Sequence, residues 1–176
     1  MQRILIVGGP GAGKSWLAIE LGRRLGLPVH HLDHIHWAPG WTARPRAERD
    51  WMSRELRREP AWVIEGDYAR TEPEAAEAAE MLIWLDLPIG LRLVRLLTRV
   101  LASRHGTPRP DLPEGCEESF RRGFVELAVF AVKTRSATRE RHLSLLMANA
   151  KDGRRVLRLG TPGAVRRLLS AFPPAP

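Results

Sequence analysis

Gly8-Gly9-Pro10-Gly11-Ala12-Gly13-Lys14-Ser15 satisfies G-x-x-x-x-G-K-[ST] at every fixed position. The flanks give the match its meaning. Arg3 to Val7 (RILIV) is a short apolar run of the kind that forms a buried strand. Leu17, Ala18, Leu21 and Leu25 then recur at helical spacing. The octapeptide therefore sits where a strand hands over to a helix. Glycines there let the backbone curl around an anion with its N–H groups inward, and the helix N-terminus adds partial positive charge. Lys14 is placed to reach β- and γ-phosphates, and the Ser15 hydroxyl to ligate Mg²⁺. Trp16 follows directly, where it has no hydroxyl to offer an α-phosphate.

Working outward, four more apolar runs read as strands: Leu27 to Leu32, Ala61 to Glu65, Met81 to Leu85 and Arg154 to Leu159. Helical patterns fall between them, at Pro45 to Arg58, Glu72 to Glu80, after Pro88, and over Glu117 to about Leu146. A last helix runs from Ala164 to about Ala171. Alternating strands and helices predict an α/β chain with a doubly wound parallel sheet of five strands. The Pro/Gly-rich stretch Arg104 to Gly115 opens an excursion, 104–147, expected to act as a small helical lid within a single domain, 1–176.

Composition narrows the setting. The chain has 176 residues, enough for one full core, and 44% hydrophobic content with 27% charged marks a globular protein. No apolar run reaches membrane-spanning length, the N-terminus enters a strand at once, and Cys116 is the single cysteine. A cytoplasmic location without membrane contact is the expectation. Net charge is +8, with the basic excess wholly after Asp86. Two readings compete for it: a nucleic-acid surface, or arginines gathered around a polyphosphate.

Carboxylates at strand ends are the other chemical signal. Asp33 follows the second strand, where open α/β sheets place their ligands, and suits an acceptor hydroxyl. Glu65 ends the third strand beside the phosphate loop and is expected to hold the Mg²⁺ shell from the opposite side. Asp67, Tyr68 and Arg70 then stand ready to meet the acceptor. His34-x-His36 has ligand-like spacing, but no third ligand joins it. Trp37 and Trp41 flank a Pro-Gly turn, to wall a pocket or to plug the core. Arg92, Arg95 and Arg99 share one helix face, as a phosphate clamp or a basic outer surface.

With these residues in view, the chain resembles the small-kinase branch of the P-loop fold, adenylate kinase and its relatives. More narrowly it resembles the DNA topology modulation (FlaR-like) proteins. The segments that carry the likeness are RILIVGGPGAGKS, HLD followed by W-x-PGW, WVIEGDYAR, LIWLDLP and RPDLPEGCEESF. The resemblance implies phosphoryl transfer from ATP with Mg²⁺, and a lid bearing arginines such as Arg104 or Arg109. By register from LDLP, it implies that Arg95 and Arg99 touch nucleotide base and phosphates. Thr161 and Pro162 match the turn that packs on the base. Glu65-Gly66 stands where relatives have Asp-Gly, and Trp16 where they have a small hydroxyl residue. The expected activity is ATP-dependent phosphoryl transfer to a nucleotide or metabolite, with Lys14, Asp33, Arg95 and Arg99 catalytic. A nucleotide-regulated DNA-binding protein and an NTPase without acceptor are the alternatives.

Overall fold

Strands that are apolar on both faces belong in the middle of a sheet covered on both sides. That rule organises the computed structural model, which describes residues 1–68, 72–104, 109 and 111–173, the side chains of Glu72 and Arg104 excepted. Strand β1 (Arg3–Val7) leads through the loop into helix α1 (Lys14–Leu25). Strand β2 (Val29–His31), a short helix α2 (Leu32–His36) and a ribbon of β3 (Trp37–Ala38) and β4 (Thr42–Ala43) follow. Then come α3 (Arg46–Arg58), β5 (Trp62–Glu65), α4 (Glu72–Ala78), β6 (Met81–Leu85) and α5 (Ile89–Arg104). The chain closes with α6 (Leu127–Lys133), α7 (Arg135–Lys151), β7 (Arg155–Leu159) and α8 (Pro162–Ser170).

The five-stranded sheet runs β2-β5-β1-β6-β7, every pairing parallel. The expected doubly wound sheet is therefore present, with the phosphate loop at the end of its central strand. Alternation along each strand divides the core in two. Ile4, Ile6, Val63 and Ile83 pack under Leu17 and Leu21 of α1 and Val165 and Leu169 of α8. Leu5, Val7, Ile64, Leu82 and Trp84 pack on the other face with Ala75 and Ala76 of α4, with Met52, Leu56, Leu145 and Leu146 at the edge.

Three local readings change. The second strand stops at His31, and Leu32 opens α2 instead, so Asp33 lies in a helical first turn. The Glu72 segment is helical, but Ala75, Ala76 and Ala79 are buried rather than solvated. The stretch from Glu117 is not one helix. Its start, Arg121–Glu126, is a wide π-helical turn, and Thr134 breaks the path between α6 and α7. Gly123 explains the first irregularity: a β-carbon there would come within 2.5 Å of Glu118 and 2.8 Å of Val100.

Candidate active site

The phosphate loop is shaped by its glycines and by α5 behind it. Gly8, Gly11 and Gly13 have φ of 149°, 76° and 91°. A β-carbon on Gly11 would sit 2.4 Å from the Arg92 carbonyl oxygen, so α5 packs against bare backbone. Arg92 Nε donates to the Pro10 carbonyl (2.9 Å), and Arg95 donates to the Ala12 carbonyl (3.0 Å). Both guanidiniums brace the loop from outside.

Below the loop, Ser15 Oγ donates to Glu65 Oε1 at 3.0 Å. The same oxygen lies 2.7 Å from His31 Nδ1. Glu65 is 4% exposed and His31 7%. Burial alone lowers the His31 pKa, but the hydrogen bond and charge of Glu65 outweigh it and the net shift is upward. A hydroxyl and a carboxylate in contact beside a phosphate loop form a hard-oxygen pair. That suits Mg²⁺, which takes few protein ligands and fills its octahedron with phosphate and water. Among the described residues no group of three or more His, Cys, Asp or Glu is arranged to hold a metal by itself, so His34 and His36 form no such centre. His36 instead contacts Arg49 (2.9 Å), and His30 contacts Glu59 (2.9 Å).

Asp33 and Asp67, the carboxylates expected to meet an acceptor, are held differently. Asp33 is exposed at the mouth of the cleft, and its Oδ1 accepts a short hydrogen bond from the Tyr68 hydroxyl. Desolvation by the protein behind it raises its pKa, aided by the charges of Glu65 and Asp111, against the lowering pull of Tyr68 and Lys14. Asp67 pairs with Arg141, and His142 Nε2 lies 3.4 Å from its Oδ1. Burial raises the Asp67 pKa, but His142, Lys14 and Arg141 outweigh it and hold the carboxyl low. Its Oδ2 is buried without a hydrogen-bond partner. Arg70 lies outside the described residues.

Aromatic rings wall this side. Tyr68 stacks on His36 at 4.5 Å, His36 meets Trp37 edge-on at 4.7 Å, and Trp37 meets Trp41 at 5.8 Å. The two tryptophans are half-buried and form a surface wall, not a core plug. The ribbon docks on the excursion: Gly40 N–H donates to Gly115 O (2.9 Å), and Trp41 Nε1–H to Glu117 O (2.8 Å).

Arg99, and Arg109 of the expected lid, are engaged with carboxylates. Arg99 pairs with Glu118 at 2.7 Å, and Arg109 pairs with Glu118 at 2.6 Å and Asp111 at 2.8 Å. Glu118 is 4% exposed on its side chain. The charges of Arg109, followed by that of Arg99, hold the Asp111 carboxyl at about 2 despite its burial. The Arg104 side chain is outside the described residues. Thr161 caps α8, its hydroxyl accepting from Ala164 N–H at 3.1 Å, and Pro162 follows at the first helical turn.

Two cavities meet the loop. One, of about 470 Å³, is lined by Ala12, Gly13, Trp16, Arg95, Pro162 and Arg166, among others. The other, of about 270 Å³, lies between Gly9, Asp86, Arg92, Arg135, Arg139 and His142. The structure thus brings Lys14, Ser15, Asp33, Glu65, Asp67 and Tyr68 to one end of the sheet. Arg92 joins them from the helix face the spacing marked, and so do His31, Arg141 and His142, which no local pattern in the sequence marks as neighbours of these residues.

No protein-family profile matches the chain, and no curated protein matches it in sequence. Solved structures do match in shape. A shikimate kinase from Acinetobacter baumannii in complex with shikimate superposes with a TM-score of 0.56 at 19% identity, over 97% of this chain and 90% of that one. Shikimate kinase from Bacteroides thetaiotaomicron gives 0.54 at 18% identity, over 97% and 95%. Shikimate kinase from Aquifex aeolicus gives 0.54 at 14%, over 96% and 94%. Among the described residues no helix is long and apolar enough to cross a membrane. The chain has the fold of these P-loop kinases, with the adenylate-kinase-like arrangement of sheet and phosphate loop, while the narrower likeness to the topology modulation proteins gains no support from them.

Proposed function

We propose that this chain is a small-molecule kinase that transfers the γ-phosphoryl group of a nucleoside triphosphate, taken as ATP, to an acceptor hydroxyl. One observation carries the reading: two carboxylates just beyond β2 and β5 meet different partners, Tyr68 for Asp33 and Arg141 with His142 for Asp67, and their pKa values are pushed apart. Asp33 is raised and Asp67 lowered. Environments that separate two titratable groups in this way assign them different roles. Asp33 orients the acceptor hydroxyl and takes its proton. Asp67 stays ionised against Arg141 and His142 and sets the charge on the acceptor side.

Residues 8–15 hold the triphosphate on backbone N–H groups, and Lys14 stabilises charge on the transferred group. Ser15 and Glu65 hold Mg²⁺, Glu65 through water, and the bound ion neutralises charge on the phosphate oxygens. Residues 104–147 form the lid. Arg95 and Arg99 now face the Ala12 carbonyl and Glu118, so a role on the phosphates requires them to exchange partners when nucleotide enters. Thr161 and Pro162 back the nucleotide base.

The acceptor is read as a small hydroxylated molecule bearing an anionic group. Arg92, Arg135 and Arg139 around the smaller cavity support this, as does the shikimate held by one of the matched kinases. The nucleic-acid alternative gains no support from the matched structures, and Arg99 and Arg141 are turned onto the protein's own carboxylates.

The test is nucleoside diphosphate release from ATP·Mg²⁺ with a panel of acceptors that includes shikimate, other hydroxylated carboxylates and nucleoside monophosphates. At least one acceptor should raise turnover well above the basal rate, and Lys14→Ala should abolish it with the fold intact. Turnover that no acceptor changes marks an NTPase without acceptor and overturns the kinase reading.

A further inference from the structure

Trp16 is the residue of the phosphate loop's helix that nothing above employs. It is 55% exposed and belongs to neither apolar core cluster, so packing does not explain a tryptophan there. It does line the cavity of about 470 Å³, which includes Ala12 and Gly13 and so is continuous with the phosphate loop. Arg166, exposed in the first half of α8, lines the same cavity. An aromatic face and a guanidinium on one cleft are the two groups that stack on, and hydrogen-bond to, a nucleobase.

The side-chain donor and acceptor inventory of the cleft is one-sided. Its lining side chains come from Ala, Gly, Trp, Leu, Arg, Pro and Val. Their polar groups, an indole N–H and guanidinium N–H groups, donate only. Arg95 already donates to the Ala12 carbonyl, which leaves Arg166 as the freer donor. Guanine presents two acceptors, O6 and N7, to a guanidinium fork, whereas adenine replaces O6 with an amine that needs an acceptor.

We propose that Trp16 and Arg166 form a purine clasp, in which the indole stacks on the base of the bound triphosphate and Arg166 donates to its acceptor edge, so that a guanine nucleotide binds more tightly than an adenine nucleotide. This rests on the nucleotide reading of the loop and names the base that the loop's neighbour selects.

The test is calorimetric titration of the full chain with ATP, GTP and inorganic tripolyphosphate, each with Mg²⁺. GTP is expected to bind about fivefold more tightly than ATP, a ratio that Arg166→Ala brings to about one. Trp16→Ala should weaken both nucleotides about tenfold and leave tripolyphosphate unchanged, and Trp16→Phe should restore most of the loss. Tighter ATP than GTP, a ratio that survives Arg166→Ala, or equal weakening of tripolyphosphate by Trp16→Ala each overturns the clasp. Tripolyphosphate binding as tightly as both nucleotides overturns the clasp alone. Failure of all three ligands to bind overturns the nucleotide reading with it.

Discussion

The Tyr68 hydroxyl donates its hydrogen bond to Oδ1 of Asp33, so the carboxylate proposed to take the acceptor's proton is held in place by a phenol from the next strand's end. Burial and the neighbouring Asp33 charge raise the Tyr68 pKa, so the phenol remains a donor throughout the working range. That bond stabilises ionised Asp33 against the desolvation that raises its pKa. Tyr68→Phe should therefore move the acid limb of the pH–rate profile upward. Turnover on the alkaline plateau should change less. An acid limb that stays in place would show that Asp33 is not the titrating base.

Ser15, Glu65 and His31 are linked through one carboxylate oxygen. Ser15→Ala and Glu65→Gln should each raise the Mg²⁺ concentration for half-maximal turnover by about tenfold or more. His31→Ala should do the same more weakly, since it only orients Glu65. Mg²⁺ titrations of initial rate at saturating nucleotide check the order.

Glu118 carries two guanidiniums while almost fully buried. Glu118→Ala leaves both charges without it and should destabilise the fold by about 3 kcal/mol, measured by urea unfolding. Glu118→Gln should cost less, because it keeps acceptor oxygen for one of them.

Asp111 predicts an acid-sensitive contribution. Its carboxyl is held at about 2, below the usual 3.8. A depressed carboxylate stabilises the fold above its unfolded pKa, and that contribution fades as pH falls from about 4 toward 2. The wild-type chain should lose about 2 kcal/mol over this range that Asp111→Asn does not lose. Parallel stability curves for the two proteins would contradict the Arg109–Asp111 pairing.

Gly9 and Gly11 should respond unequally to alanine. At Gly9 the added carbon meets the Arg92 guanidinium, a mobile side-chain end, 2.1 Å away. At Gly11 it meets the Arg92 backbone carbonyl at 2.4 Å, and φ is 76°. Gly11→Ala should cost about 2 kcal/mol or more, Gly9→Ala less than half of that, by thermal denaturation.

The sheet was legible in the sequence because its strands are continuous apolar runs, and the loop because its residue types are dictated by phosphate geometry. Glu65 was legible as the carboxylate that ends an apolar run, while Asp33 falls in the first turn of α2, just beyond β2. What escaped was set by partners far along the chain. His31 and Glu65 are 34 residues apart and Arg141 and Asp67 are 74 apart, and no periodicity connects them. Glu118 resembles any surface glutamate until Gly123 lets the π-helical turn close over it. Ala75 and Ala76 look like helix filler, yet they are the small side chains that let α4 lie against the sheet. For Arg95 and Arg99, spacing along a helix does not choose between a loop carbonyl, a carboxylate and a phosphate.

Trp41 is the one described non-glycine residue with a positive φ, 61°, and its indole N–H is tied to Glu117, 76 residues away. A bulky residue resists that backbone state unless its surroundings impose it. The bonds to Gly115 and Glu117 are what impose it. The aromatic wall and residues 115–117 therefore hold one another: Trp41 carries the strain, and the bonds to Gly115 and Glu117 offset it.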